Sequence, residues 1–262
     1  MMQSVFSKTF YDLRWNILAF CVGLATLAFF VLFIYPSVAD AQEGMFEGLA
    51  GEAAQAILGS ANPGTPEGFL NVQFFSFLPL FLAIFLIIAA SAAIAGEEGD
   101  KTLGVLMARP ISRWRVLTEK ALAIVVGLVL ITLAIAAGAV AGALAADVDI
   151  DLARMALAMV AAIPWGLFVL GFGLFCSAIF TNRMWAALLA TGVVIAAYMF
   201  NSLTEFVSSL VTYNRFLPMY YYSWGDPLIG SLNWAHVAVL TGSGLVFYLL
   251  AMLAFERREI VG

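Results

Sequence analysis

The stretch AGEEGDKTLGVLMARPISRWRVLTEK, residues 95–120, is the most densely charged part of the chain. It holds Glu97, Glu98, Asp100, Lys101, Arg109, Arg113, Arg115, Glu119 and Lys120. Long uncharged apolar runs flank it on both sides. A hydrophilic island between two such runs reads as a loop joining two membrane spans. Composition agrees. Hydrophobic residues make up 63% of the 262-residue chain and charged residues only 11%, whereas a soluble domain carries roughly a quarter. Mean hydropathy is +1.00.

A membrane-spanning helix needs about 20 consecutive apolar residues. Six segments qualify, at about 16–35, 70–95, 117–146, 153–180, 185–204 and 234–255. Their continuous apolar character excludes the alternation of a barrel strand, leaving helices as the form that satisfies its own backbone in lipid. The expectation is a single all-α integral membrane domain over residues 1–262. The triplet Ala39-Asp40-Ala41 resembles a signal-peptidase site, but the run before it exceeds a signal core of ~7–15 residues and reads as a retained span.

Lys and Arg orient the spans. Lys8, Arg14, Lys101, Arg109, Arg113, Arg115, Lys120, Arg183, Arg257 and Arg258 fall on one side; only Arg154 and Arg215 fall on the other. This predicts a multi-pass protein of the cell membrane with both termini and the 96–116 loop in the cytoplasm. Segments 36–69, 147–152 and 205–233 then lie outside and carry most of the carboxylates.

Phe6, Phe10, Leu13 and Ile17 recur at helical spacing around Lys8, Asp12 and Arg14. Two readings fit: an amphipathic helix lying in the interface before span 1, or a span that begins early with a wet end. In 36–69, glycines and prolines mark turns, and MFEGLAGEAAQAILG suits a short helix. Gly138 and Gly142 form a G-x-x-x-G pair in span 3, suited to close helix approach within the chain or between copies. Pro218, Tyr221 and Trp224 stand in an aromatic stretch that fits either a broken hairpin dipping into the membrane or an interfacial belt.

Cys21 and Cys176 lie inside apolar runs, and His236 is the sole histidine. These form neither a disulfide framework nor a metal motif, so no metal site is expected. No span carries an ionisable residue near its middle, which disfavours a proton or ion relay. No phosphate-binding loop or hydrolase motif occurs, so no catalytic residue and no cofactor is expected on this chain. No nucleic-acid partner is expected.

Within the island, Asp100 suits the cap of a short helix in which Leu103, Leu106 and Met107 share one face. Arg109-Pro110 ends it. Ser112 suits the cap of the next helix, with Ile111 and Val116 as a hydrophobic staple. A leucine face outside the membrane has no use in a loop that only sets topology; it resembles the apolar face of a helix that docks in a partner's groove.

Glu97-Glu98-Gly99-Asp100-Lys101-Thr102-Leu103, then Leu106, Arg109-Pro110-Ile111-Ser112-Arg113 and Lys120, resemble the cytoplasmic signature of ABC transporter permeases of the type-2 exporter class. Asp100 and Lys101 separate Gly99 from Thr102, a departure from the commoner Gly-Thr-Leu. The resemblance extends to Pro66-Glu67-Gly68-Phe69-Leu70 and to Phe255-Glu256-Arg257-Arg258-Glu259-Ile260. It implies the membrane subunit of an ATP-driven exporter, paired with a second permease as homodimer or heterodimer and docked on two ABC ATPase subunits that hold ATP and Mg. It implies that the island is the coupling helix, with Glu97, Glu98, Thr102, Leu103, Leu106, Arg109, Pro110 and Arg113 serving the ATPase contact. Glu97 and Glu98 would meet polar or basic groups of the ATPase or of neighbouring helices, and Arg109 and Arg113 would flank the groove. Phe10, Leu13 and Arg14 would clamp the ATPase from the side. Pro218, Tyr221 and Trp224 would belong to an outer gate. No motif marks the substrate-binding residues. Two other classes compete: a lipid-modifying membrane enzyme using Tyr198, Asn201, Ser202 and Glu205, and an ion-coupled secondary carrier.

Overall fold

The computed structural model describes residues 4–46, 65–99, 111–204, 207–222 and 232–258. All regular structure among them is helical. Six helices are long and apolar enough to cross a membrane, so the chain is an all-α, multi-pass membrane protein. We label them α1 (Val5–Phe46), α2 (Pro66–Gly99), α3 (Arg113–Ala145), α4 (Leu152–Ile179), α5 (Arg183–Leu203) and α6 (Trp234–Arg257). Lys8, Arg113, Lys120, Arg183, Arg257 and Arg258 gather where α1, α3 and α5 begin and α2, α4 and α6 end. That end is called here the basic end.

The four later helices match the apolar runs closely, and polar side chains cap the starts of α4, α5 and α6. Asp151 Oδ1 accepts from the Ala153 and Arg154 amides. Asn182 Oδ1 accepts from Met184, and Asn233 Oδ1 from Ala235 and His236. Each satisfies amides that a helix start leaves without a partner. Ser112 occupies the cap position of α3 in extended geometry, but its hydroxyl makes no capping bond. The staple does form: Ile111 packs on Val116 and Val5. α3 ends with Asp147 at φ 54°, and the Val148 amide reaches back to the Ala143 carbonyl at 2.9 Å. This is a Schellman closure with aspartate at a position that usually takes glycine.

Two boundaries differ from the sequence reading. α1 is one helix of 42 residues, about 63 Å of rise, so no separate interfacial helix precedes span 1. Its early residues continue the helix because nothing between Phe6 and Cys21 breaks it; the first glycine is Gly23. Segment 36–69 is also shorter than expected, since α1 runs on past Pro36 and α2 begins at Pro66 behind the Thr65 cap. The short helix expected over 45–59 lies almost wholly outside the described residues.

α2 is not a uniform α-helix. Asn71–Phe75 and Ala92–Gly96 are π-helical turns. Pro79 accounts for the first irregularity: it has no amide to give the preceding turn. The Pro79 carbonyl accepts the Trp165 indole N–H at 3.0 Å, which ties α2 to α4.

α2 and α4 form the centre, with Phe74, Phe75, Phe85 and Trp165 among the largest fully buried side chains. α1 packs on α3, and α6 on α4. Both contacts are backbone-close. A Cβ added at Gly138 or Gly142 would fall on the carbonyl of Ala25 or Phe29, and one at Gly171 on that of Gly244. The G-x-x-x-G pair therefore serves packing within the chain. The outward faces of α1, α5 and α6 carry exposed Leu18, Phe30, Leu188, Ile195, Leu249 and Leu253, as lipid contact requires.

Gly138→Leu should lower the thermal midpoint of the detergent-purified protein, at the upper end of the ~1–3 kcal/mol typical of overpacking. Gly192→Leu, where a new Cβ meets nothing within 4 Å, should leave it unchanged. Equal midpoints for the two variants would contradict the α1–α3 contact described here.

Candidate functional site

The site is built on the last turn of α2. A π-turn spaces its bonds five residues apart and leaves neighbouring backbone groups needing partners. Side chains of two other helices supply them. Ser177 Oγ on α4 accepts from the Ile94 and Ala95 amides at 3.2 and 3.0 Å and donates to the Ser91 carbonyl at 3.2 Å. That uses one hydroxyl to its full capacity. Lys120 Nζ on α3 donates to the Ala93 carbonyl at 2.6 Å.

Ion pairs surround this turn. Lys120 Nζ lies 2.7 Å from Glu97 Oε1, with side-chain exposures of 3% and 16%. Lys8 of α1 reaches the same oxygen at 3.3 Å. Glu98 pairs with Arg258, just past α6. Arg258 also donates Nη1 to the Ser177 and Ala178 carbonyls at 3.0 and 2.9 Å, and Nη2 to Phe180 at 2.9 Å. Arg113 Nη1, at the start of α3, donates to the Phe255 and Arg258 carbonyls at 2.8 and 2.6 Å. The two arginines thus cap the ends of α4 and α6, where helices run out of internal donors. Glu119 accepts from Arg115 at 2.9 Å and from the Phe6 amide at 3.1 Å. Beside the Lys120–Glu97 pair a polar recess of about 300 Å³ is lined by Lys8, Asp12, Gly96 and Arg183.

These contacts join α1, α2, α3, α4 and α6 into one charged knot. The knot brackets residues 100–110: Glu97 and Glu98 precede them, and Arg113 follows. It supplies no nucleophile–base pair. Among the described residues, no group of three or more His, Cys, Asp or Glu is placed to hold a metal. What the arrangement can do is mechanical and electrostatic.

The expected site residues distribute as follows. Glu97 and Glu98 meet basic groups of neighbouring helices. Arg113 is spent on the end of α6. Thr102, Leu103, Leu106, Arg109 and Pro110 lie outside the described residues, as does Trp224. Leu13 is buried and Phe10 packs on the core. Arg14 lies over the Tyr11 ring, 3.4 Å from its centroid. Pro218 and Tyr221 form a 3₁₀ turn packed between α5 and α6. Tyr221 Oη donates to the Arg215 carbonyl at 2.8 Å, and the adjacent Tyr222 ring packs edge-on against Trp165. Burial pushes the Tyr222 phenol well above its ordinary pKa. Asn201 accepts from Asn214 at 2.9 Å, a bond that folds segment 207–222 onto the end of α5; Glu205 lies outside the described residues.

Ser177 is the member that a linear reading passes over; Lys120 and Arg258 stand in the stretches that carry the family resemblance, but the resemblance does not pair them with Glu97 and Glu98. Lys120 had a visible signal. It shares a helical face with Leu117, Ile124, Leu128 and Ile131, all buried, and a lysine on an apolar stripe needs an acidic partner.

Lys120→Met should strongly destabilise the protein, because removing one member of a buried pair costs about 3–5 kcal/mol. Adding Glu97→Met should recover much of the loss, since no uncompensated carboxylate then remains. Thermal midpoints of the two singles and the double form the cycle; strictly additive losses would show that the pair is not coupled.

Comparison with known proteins gives the site its context. No curated protein matches the chain. The profile of the ABC-2 family transporter protein family matches residues 18–260, a range that includes α2 through α6 and the whole of the knot apart from Phe6 and Lys8. A six-span bundle whose charges gather around the α2–α3 connection and a family match over nearly its full length lead to one assignment: the chain belongs to the ABC-2 transporter family.

Proposed function

We propose that this chain is the membrane-spanning subunit of an ATP-driven exporter of hydrophobic or amphipathic cargo, moved by separate ATPase subunits docked on segment 96–116. The observation that carries the reading is the charged knot on both sides of residues 100–110. A partner that grips that segment pulls on the end of α2 and the start of α3. Glu97–Lys120, Glu98–Arg258 and the Arg113 cap pass that pull to α1, α4 and α6.

On this reading the basic end is cytoplasmic, in line with the positive-inside rule, and both termini are inside at the cell membrane. Leu103 and Leu106 fill a groove of the ATPase, with Arg109 at its edge. Phe10, Leu13 and Arg14 serve α1's own packing and the flank of the docking region. ATP and Mg are held by two ATPase copies, and a second permease, identical or related, completes the pathway. ATP favours closure of the ATPases, and the permease follows because its two arrangements bind the closed form with different affinity. Pro218 and Tyr221, wedged between α5 and α6, lie where an outer gate would move.

Arg109→Glu, or Leu103→Asp with Leu106→Asp, should abolish co-purification of the ATPase while leaving the permease's thermal midpoint unchanged. Glu98→Gln should retain the ATPase but slow transport relative to ATP hydrolysis, since it weakens the link to α6 and not the docking face. ATPase capture at wild-type levels by the island variants would overturn the docking assignment.

A further inference from the structure

A cavity of about 290 Å³ lies between α3, α4 and α6, away from the charged knot. Its walls include Leu122 and Val125 of α3, Leu170 and Gly171 of α4, and Thr241 and Leu245 of α6. It opens sideways, because Leu122 and Leu245 at its rim are 52% and 56% exposed. Gly171 and Gly244 make its floor, where the two backbones touch. Its lower end is closed by a 2.7 Å hydrogen bond between Thr118 Oγ1 and Tyr248 Oη. Below that bond the Arg113 contacts hold α3 to the end of α6. The two helices are joined at the basic end and part above it.

We infer that this cleft is a binding site for a phospholipid of the leaflet at the basic end, with one acyl chain in the cleft and the phosphate beside Trp114 and Arg115. Three observations carry the assignment. The lining is apolar apart from Thr241, and the hydroxyls at its end are taken up, Thr118 by the Trp114 carbonyl and by Tyr248, each at 2.7 Å, so the occupant is a hydrocarbon. The depth fits one leaflet: Arg115 to Val125 is about 15 Å of helix rise, half of a ~30 Å hydrocarbon core. At the mouth, Trp114 is exposed on the Thr118 face, and Arg115, whose Nε pairs with Glu119 at 2.9 Å, is exposed on the Leu122 face. This is the aromatic and basic pairing that favours headgroup level and a lipid phosphate.

A transmembrane helix of a second copy fits less well. Close helix approach needs small residues at the contact, and here the glycines lie at the floor, already against each other, while leucines form the rim. A helix ~10–12 Å across cannot enter past them, whereas a single acyl chain can.

The test uses the full chain, reconstituted in phosphatidylcholine vesicles containing a small fraction of phosphatidylglycerol with a diazirine on one acyl chain. After irradiation, adducts are mapped by mass spectrometry. Labelling at Leu122, Val125, Thr241 and Leu245 should exceed that at Leu188, Ile195 and Met199 on the exposed face of α5 by roughly threefold or more, as retention through buried apolar area requires. Thr241→Trp, which fills the cleft, should abolish the excess and leave α5 labelling unchanged. Labelling of the cleft no denser than α5, or a cleft shielded from lipid by a second copy, would overturn the assignment. The wild-type comparison alone decides the matter if the filled variant does not fold.

Discussion

An ammonium group that is 3% exposed can stay charged only where opposite charge and hydrogen-bond acceptors surround it. For Lys120 these come from α2, as the Glu97 carboxylate and the Ala93 carbonyl. The requirement reaches outward. It fixes how α2 ends and brings Lys8 and α1 to the same carboxylate. On the adjacent residue it leaves Glu98 facing Arg258 and the end of α6. A span rich in alanine and leucine has few other ways to be held at a defined angle and depth. The polar interactions of the bundle are therefore concentrated at one end, and the rest of the contact is made by packing.

That packing depends on missing side chains. Lipid offers no hydrophobic reward for bringing two apolar helices together, so association depends on close contact and shape. Gly138 and Gly142 let α1 lie on the α3 backbone, and Gly171 and Gly244 do the same for α4 and α6. The bundle reads as two tightly apposed parallel pairs arranged about the buried α2 and α4, with α5 more loosely placed outside. Elements fixed this way move as units, which suits a protein whose motion is imposed at one end.

Much of this architecture is written in the linear chain. The six apolar runs locate the six helices, and Asp151, Asn182 and Asn233 mark where three of them begin. The early start of α1 is harder to see, because an amphipathic opening serves a wet helical end and an interfacial helix equally well. The site is legible only in part. Glu97, Glu98, Arg113 and Lys120 stand out by charge density, but Arg258 and Ser177 do not join them in the linear chain, because they lie about 80 or more residues away from the groups they bind and no local pattern links them. The two π-turns differ in this respect. The first follows a visible proline, Pro79, but the second arises from tertiary contacts, the Ser177 and Lys120 side chains of two other helices.

The second π-turn also sets an angle. A turn closed five residues apart carries one residue more than the α-turn it replaces, and one residue is about 100° of rotation about the helix axis. Everything after Ala92–Gly96 is therefore out of phase with Leu78–Ser91 by that amount. In an unbroken α-helix, Glu97 would point about a quarter-turn away from Lys120. The compass direction of the α2 carboxylates is thus stored in backbone hydrogen-bond spacing, and Ser177 holds the amides that keep it. A single hydroxyl on α4 acts as the detent for the rotational setting of the residues that lead into segment 100–110.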